Sequence, residues 1–424
     1  WNEPENPAFG NHSGTEIAAY HKAAALGIRS AAPQAAIVCN LTFHWADVVD
    51  DLAANGLGPY LDALSTHSYF PTDTYDAIHG DLRQFFPGLP LWITECGFPA
   101  HLSKKTPRRQ WERLQAGFTA RSIAASLQAG FERTFPFLLV NFKPESTNRG
   151  MTRRNLTPKP AYCALATAAR FLQKTEPAGQ WRHEDSGVRI LRFRPRDGHG
   201  PGTCLVGWSP GDAPEACRLP PQLRSLQPIR ATDVVGRPLA DLSRKILSPG
   251  LPVYLLLPPE HSEPVPFSLR PATPLTAGHH APPAETVLQP ALPASLHRAI
   301  TATQRTRLLQ AYGADQPGPV ALTRRSCYLV PPGGLRIPVH IYAFGSESSR
   351  ITLTAELDGR PCPLDSPEIQ PGTGKRLTRT LTVRPSWDNW RPGAFQRLVV
   401  RAQTPDGPTV AAARLQPDLE TVEP

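Results

Sequence analysis

From residue 1 to about 173, segments with apolar residues at helical spacing alternate with short apolar runs bounded by turn residues. That alternation predicts βα units feeding a parallel sheet. Ser13 and Glu16 have capping-box spacing ahead of an Ala-rich helix that ends at Gly27. Thr106-Pro107 opens a second helix carrying Trp111, Leu114 and Phe118 on one face. Four runs read as strands, 36–43, 61–69, 89–95 and 131–142, and a helix over 160–172 closes the region with an Ala-rich packing face.

Beyond it the period changes. Runs at 188–193, 203–208 and 252–257 are short, β-rich and separated by Gly, Pro and Asp turns, which predicts an accessory β-domain over 175–258. Residues 259–297 are dense in Pro, Ala and His with little period and read as a linker. After it Ile351, Leu353, Ala355 and Leu357 alternate cleanly and 395–402 forms another strand, so 298–424 reads as a C-terminal β-sandwich-like domain. The region 1–174 is left as the candidate catalytic domain, and no internal repeat stands out.

Composition adds limits. A chain of 424 residues supports two or three domains. Its 49 prolines point to many loops and β-edges. The formal charge of +9 is spread over single or paired basic residues such as Lys104-Lys105 and Arg153-Arg154, which describes a solvated basic surface and argues against nucleic acid as a partner. Seven cysteines without a CxxC pair exclude a disulfide scaffold and a zinc ribbon. Cys39, Cys96 and Cys163 read as buried thiols, while Cys204 with Cys217, or Cys327 with Cys362, could pair in an oxidising compartment. No run approaches the roughly 18 apolar residues of a membrane span. His261, His279 and His280 lack matching carboxylate or Cys spacing, so no metal and no other cofactor is expected.

Two carboxylates stand out. Glu3 lies in Trp1-Asn2-Glu3-Pro4, and Glu95 ends a strand in Trp92-Ile93-Thr94-Glu95-Cys96-Gly97, where Gly97 permits a sharp exit. Glycoside hydrolysis needs such a pair, one to protonate the leaving oxygen and one to attack or to activate water. They are 92 residues apart, which is three βα units at the roughly 31 residues per unit of a (β/α)8 barrel, whose catalytic residues project from the C-terminal ends of strands. His67 and Tyr69 lie between them, two apart on one strand and so on one face. Taken singly, Glu3 is a turn carboxylate, Glu95 a salt-bridged strand end, His67 with Tyr69 a hydrogen-bonded core pair, and Trp92 part of a packed wall; the ordered combination favours catalysis.

Asn2-Glu3-Pro4, Thr66-His67-Ser68-Tyr69 and Trp92-x-Thr94-Glu95-x-Gly97, in this order over about 173 residues, resemble the retaining glycoside hydrolases of the (β/α)8-barrel clan A, the β-xylosidase-like branch first and cellulase-like relatives second. The resemblance implies an α/β fold, the C-terminal part of a TIM barrel (strands 4–8) followed by β-sandwich-like domains. It implies that Glu3 is the acid/base after strand 4, Glu95 the nucleophile after strand 7, Asn2 a partner of the sugar 2-hydroxyl, and His67 or Tyr69 a contact to the nucleophile or the sugar. A carbohydrate substrate and a secreted or periplasmic location follow from the same likeness. Ala231-Thr232-Asp233-Val234-Val235-Gly236 and the run from Leu251 to Leu255 are similar to the final strands of the accessory domains many members carry.

The sequence departs from the clan in two places. The strand-8 region offers Phe135, Phe137 and Phe142 where the clan usually has a Trp platform. A barrel that starts at the end of strand 4 lacks strands 1 to 3, about 100 to 120 residues at the usual unit length, so the chain is expected to be an incomplete fragment. Trp387 and Trp390 are a second candidate sugar platform, with core packing favoured. The alternative function is a non-catalytic carbohydrate-binding or cell-surface protein built on a degenerate barrel.

Overall fold

The computed structural model describes residues 2–6, 8–42, 46–98, 107–141, 148–184, 187–196, 202–209, 226–240, 242, 249–258, 283–292, 327–331, 333–344, 350–370, 372, 374–386 and 394–417. Trp1, the Lys104-Lys105 pair, Thr106, Phe142, Cys217, His261, His279, His280, Trp387, Trp390 and most of 259–297 lie outside these residues.

In chain order the first elements are α1 (Gly14–Ala31), β1 (Val38–Leu41), α2 (Ala46–Ala54), β2 (Ala63–Ser68), α3 (Tyr75–Phe85), β3 (Leu91–Cys96), α4 (Arg108–Ala129), β4 (Arg133–Pro136) and α5 (Pro160–Leu172). Then come β5 (Thr175–Arg182), β6 (Arg189–Pro195), β7 (Thr203–Trp208), β8 (Arg230–Thr232) and β9 (Val253–Leu257). The last are β10 (Thr286–Pro290), β11 (Cys327–Val330), β12 (Leu335–Ala343), β13 (Ile351–Leu357), β14 (Arg360–Pro361), β15 (Glu368–Ile369), β16 (Arg376–Val383), β17 (Gln396–Thr404) and β18 (Gly407–Pro417). They divide into two discontinuous compact units, one of residues 1–64, 82–89 and 275–424, the other of 65–81 and 90–274.

In the first unit α1 starts where the capping box requires. The Ser13 side chain accepts from the Glu16 N–H and the Glu16 carboxylate accepts from the Ser13 N–H, so two orphan donors are satisfied. The helix continues past Gly27 to Ala31. The Asp62 and Ala63 N–H groups, at the start of β2, both donate to Ile37 O just before β1. The C-terminal strands of this unit form two sheets, β10-β12-β16 and β11-β18-β17-β13-β14 with β15 added on β13. The buried, exposed alternation of β13 faces Ile351, Leu353, Ala355 and Leu357 inward as their period predicts, against Ile337, Val339, Ile341, Val400 and Leu415. Four of the five residues of β10 are buried, so the span expected to be linker contributes a sandwich strand at 286–290.

Within the same unit β18 meets α1 and α2 through a polar seam. Thr15 Oγ1 donates to Ala412 O at 2.6 Å and Lys22 Nζ donates to Val410 O at 3.0 Å. The Asn55 carboxamide donates to Ala412 O and accepts from Ala412 N, both at 2.9 Å. It thereby fills the edge of β18 just ahead of the point where β11 begins to pair, at Cys327 opposite Arg414. Arg414 pairs with Asp50 and, at 2.8 Å, with Asp51; Arg397 reaches Asp50 at 2.7 Å. Ser13 Oγ also hydrogen-bonds Tyr328 Oη.

In the second unit the remainder of β2 is followed by β3 and β4. β3 and β4 pair in parallel, Trp92 opposite Arg133 and Ile93 opposite Thr134, with α4 as the crossover helix. Gly130 ends α4 at φ +100°, a left-handed cap that glycine adopts at little cost. Trp111 and Phe118 of α4 are buried against Phe98 as expected, whereas Leu114 is 38% exposed. The sequence suggests a barrel; among the described residues the strands form open sheets and no closed barrel.

Next to these lies an antiparallel five-stranded sheet, β5-β6-β7-β9-β8. One face sends Leu191, Phe193, Val206 and Tyr254 onto the alanine faces of α4 and α5, where Ala120, Ala124, Ala164 and Ala168 let the backbones approach closely. The other face holds Ile190, Leu205 and Leu255 in a second core, the period-2 signature of strands buried on both sides.

The cysteine expectations need two corrections. Cys327 and Cys362 are both free thiols, so that pairing is not formed, and Cys163 is half-buried where a buried thiol was expected. Cys39, Cys96 and Cys204 are buried and free. Among the described residues no helix is long and apolar enough to cross a membrane.

Candidate functional site

β3 begins with strict alternation, Leu91 and Ile93 buried and Trp92 and Thr94 partly exposed. Its pairing with β4 then shifts register between Ile93 and Cys96. Without that irregularity Glu95 would follow Leu91 and Ile93 onto the buried face; with it, Glu95 stays partly exposed beside Thr94. Bulges near strand ends re-aim side chains in this way.

Glu95 is met by His67 near the end of β2 and by Tyr69 directly after it. Tyr69 Oη donates to Glu95 Oε2 at 2.7 Å. His67 Nδ1 stands 3.4 Å from the same oxygen, and His67 is 1% exposed. Their spacing of two places both on the Glu95 side of the strand. Thr94 Oγ1 donates to Ser65 Oγ at 3.2 Å, a further tie between the two strands.

The Tyr69 phenol is pushed well above its ordinary pKa, first by burial and then by its bond to Glu95 and the charge there; the nearby Arg149 cation opposes the shift. The hydroxyl therefore stays protonated and acts as a donor across the physiological range. Gly97, directly after β3, makes room for it: a Cβ at this position would lie 2.8 Å from Phe137 O and 3.2 Å from Tyr69 Cε1.

Arg149 completes the cluster, with its guanidinium carbon 4.5 Å from the centre of the Tyr69 ring. Its backbone is pinned on both sides. Gln115 Nε2 donates to Arg149 O at 2.7 Å and Lys159 Nζ donates to Asn148 O at 3.0 Å, while Asn141 holds Asn148 Oδ1 and the Gly150 N–H. Lys159, 2% exposed, is itself 5.3 Å from the Trp111 ring centre.

Asn2 and Glu3 belong to the other unit. Asn2 is exposed. Glu3 is 8% exposed and adopts φ +51°, the left-handed region that non-glycine residues enter at a cost. Asn6 Nδ2 donates to Glu3 Oε2 at 2.8 Å, the Asn6 N–H donates to Glu3 O at 3.0 Å, and the Glu3 N–H donates to Asn40 Oδ1 at 3.4 Å. Glu5, 1% exposed, accepts from the Thr42 N–H and so ties the same turn to the end of β1.

Of the residues singled out by sequence, His67, Tyr69 and Glu95 are brought together, and Asn2 and Glu3 share one turn ahead of α1. Trp92 packs, as its position suggests, with Arg133 at 4.9 Å and Phe135 at 6.4 Å from its ring. Phe135 is 46% exposed. Asn6, Glu5, Asn40 and Arg149 were not legible as site residues. The i,i+3 spacing of Glu3 and Asn6 was the available signal for the first; Arg149 lies in an irregular stretch without period.

No protein-family model matches this chain, and no curated protein matches it. Among solved structures it is similar to a family 39 glycoside hydrolase from Bacteroides cellulosilyticus, with 17% identity, 61% of this chain and 57% of that one covered, and a TM-score of 0.47. A xylanase from Cellvibrio japonicus gives 16% identity over 35% of this chain and 54% of that one, with a TM-score of 0.29. A glucosidase from Croceicoccus marinus gives 10% identity over 98% and 68%, with a TM-score of 0.36. The chain spans less than two thirds of the first two structures, and likeness at this level assigns neither family nor activity.

Proposed function

We propose that this chain carries the catalytic carboxylates of a retaining glycoside hydrolase acting on β-linked glycosides or polysaccharides, with Glu95 as nucleophile and Glu3 as acid/base. The observation that carries the reading is the Tyr69 hydroxyl donated to Glu95 at a strand end. A carboxylate that must attack has to be oriented and reachable, and the Tyr69 hydroxyl supplies the orientation. The Glu3 role rests on the Asn2-Glu3-Pro4 motif and its spacing from Glu95.

In this mechanism a Glu95 oxygen forms a bond to the anomeric carbon as the bond to the leaving oxygen breaks, and that oxygen keeps the electron pair and takes the Glu3 proton. Water, deprotonated by Glu3, then displaces Glu95 and restores the anomeric configuration. Asn2 would hold the 2-hydroxyl.

Mechanism-based labelling with a panel of 2-fluoro-glycosides tests this. A sugar adduct on the Glu95 peptide, lost in Glu95→Gln, is the expected result. A folded protein that no member of the panel labels, yet which binds glycans, would replace this reading with a non-catalytic carbohydrate-binding protein.

A further inference from the structure

We infer that Arg149 forms an anion-binding subsite beside Glu95, so that the glycan bound there carries a negatively charged substituent, a uronate carboxylate or a sulfate ester. The inference deepens the glycosidase reading and rests on it for the meaning of Glu95.

The Arg149 side chain is half-buried. Among the described residues its fully buried Nε has no hydrogen-bond partner and no carboxylate forms an ion pair with it. Arginine is rarely withdrawn from water unpaired, because the desolvation of its charge then goes uncompensated. The contact with the Tyr69 ring offsets part of that cost, since a cation over an aromatic face is attracted by the ring quadrupole, but it satisfies none of the five N–H donors.

The second observation is that the backbone carrying the cation is held in place. Gln115, Asn141 and Lys159 fix the backbone at Asn148, Arg149 and Gly150 through three hydrogen bonds, Asn141 holds the Asn148 side chain with a fourth, and Gln115 and Lys159 are each 2% exposed. A surface arginine whose only task is solubility needs no such framework. Preorganisation of this kind is what a ligand site requires, because the ordering cost is met on folding rather than on binding.

The third is position. One side chain, Tyr69, holds Glu95 by its hydroxyl and Arg149 by its ring. A group bound at the guanidinium therefore belongs to the reacting sugar or to its immediate neighbour. The planar fork matches a carboxylate or sulfate with two parallel hydrogen bonds, whereas neutral hydroxyls would leave the charge unbalanced.

The test has two arms on the full chain. In the first, matched aryl β-glycosides of gluco and galacto configuration that differ only at the C5 substituent (hydroxymethyl, carboxylate, sulfated hydroxymethyl) are compared for Arg149 and for Arg149→Met and Arg149→Lys. The expected result is an acidic member preferred over its neutral twin by about 10-fold or more in kcat/KM, a preference that collapses in Arg149→Met through KM, partly survives in Arg149→Lys, and fades with salt. Carboxylate and sulfate substrates separate the two sources of charge. In the second arm Glu95→Gln protein is titrated with oligogalacturonate, chondroitin sulfate and neutral xylo- and cello-oligosaccharides, with and without Arg149→Met. Tighter binding of an acidic ligand that depends on Arg149 supports the subsite even if nothing is hydrolysed, an outcome that would sink only the glycosidase reading. Equal handling of acidic and neutral partners in both arms, or an Arg149→Met defect of the same size for both, overturns the inference.

Discussion

Tyr69, directly after β2, donates its hydroxyl to Glu95 of β3 at 2.7 Å, with α3 lying between the two in the chain. The bond ties the hydroxyl that follows β2 to the carboxylate near the end of β3. A hydrogen bond to a charged group contributes about 1.5 to 3 kcal/mol. We predict that Tyr69→Phe lowers kcat/KM by about 10- to 100-fold. Steady-state kinetics on any substrate found by the labelling panel checks this, and an unchanged kcat/KM would remove Tyr69 from the site.

Gly97 gives a steric prediction. An added methyl would lie 2.8 Å from Phe137 O, closer than folded proteins tolerate, and 3.2 Å from the Tyr69 ring, which would have to give way. Gly97→Ala should cost about 1 to 3 kcal/mol of stability, as overpacking usually does, and should displace Tyr69 from Glu95. Urea unfolding together with the same kinetic assay would show both losses; a stable variant with full activity would mean that the β3 exit adapts.

Much of this was written in the period of the chain. The capping box at Ser13 and Glu16, the inward set Ile351 to Leu357 and the shared face of His67 and Tyr69 are local facts about spacing, and each came out as spacing implies. The exposure of Glu95 was not of that kind. It depends on a slip in pairing with β4, and a slip is a property of two strands that neither displays alone. Arg149 was hidden for a related reason: its place over Tyr69 is fixed by Gln115 and Lys159, far apart in sequence and unremarkable one by one. The strand at 286–290 was obscured by the Pro and Ala content around it, because Thr286-Val287-Leu288 is too short to outweigh its neighbours.

Lys22 makes a prediction about pH. It is 2% exposed, and burial lowers its pKa from 10.5 to about 7. The unfolded chain then binds more protons than the folded one between these values, so stability rises with pH from about 7 toward 10.5 and falls below that window's upper end as the unfolded amine protonates. The penalty at neutral pH is on the order of a few kcal/mol. Lys22→Met should flatten this slope. Denaturant midpoints at pH 7 and 9 for both proteins decide the matter; parallel slopes would place the pH dependence elsewhere.

Asp51 and Arg414 form an ion pair in which each residue is 2% exposed. Removing one partner of a buried pair costs about 3 to 5 kcal/mol, while replacing both by apolar residues is often close to neutral; Asp50 also pairs with Arg414 and lessens the loss of Asp51. We predict that Asp51→Leu is destabilised toward the low end of that range and that Asp51→Leu combined with Arg414→Met recovers much of the loss. Additive costs in this double-mutant cycle would show that the two do not act together.

The bonds of Thr15, Lys22 and Asn55 to the strand at Val410 and Ala412 reach across most of the chain. A ribosome makes α1 and α2 well before β18. Until β18 emerges, these polar side chains have no strand edge at Val410 and Ala412 to bond, so a nascent chain stalled before residue 410 holds α1 and α2 without this seam.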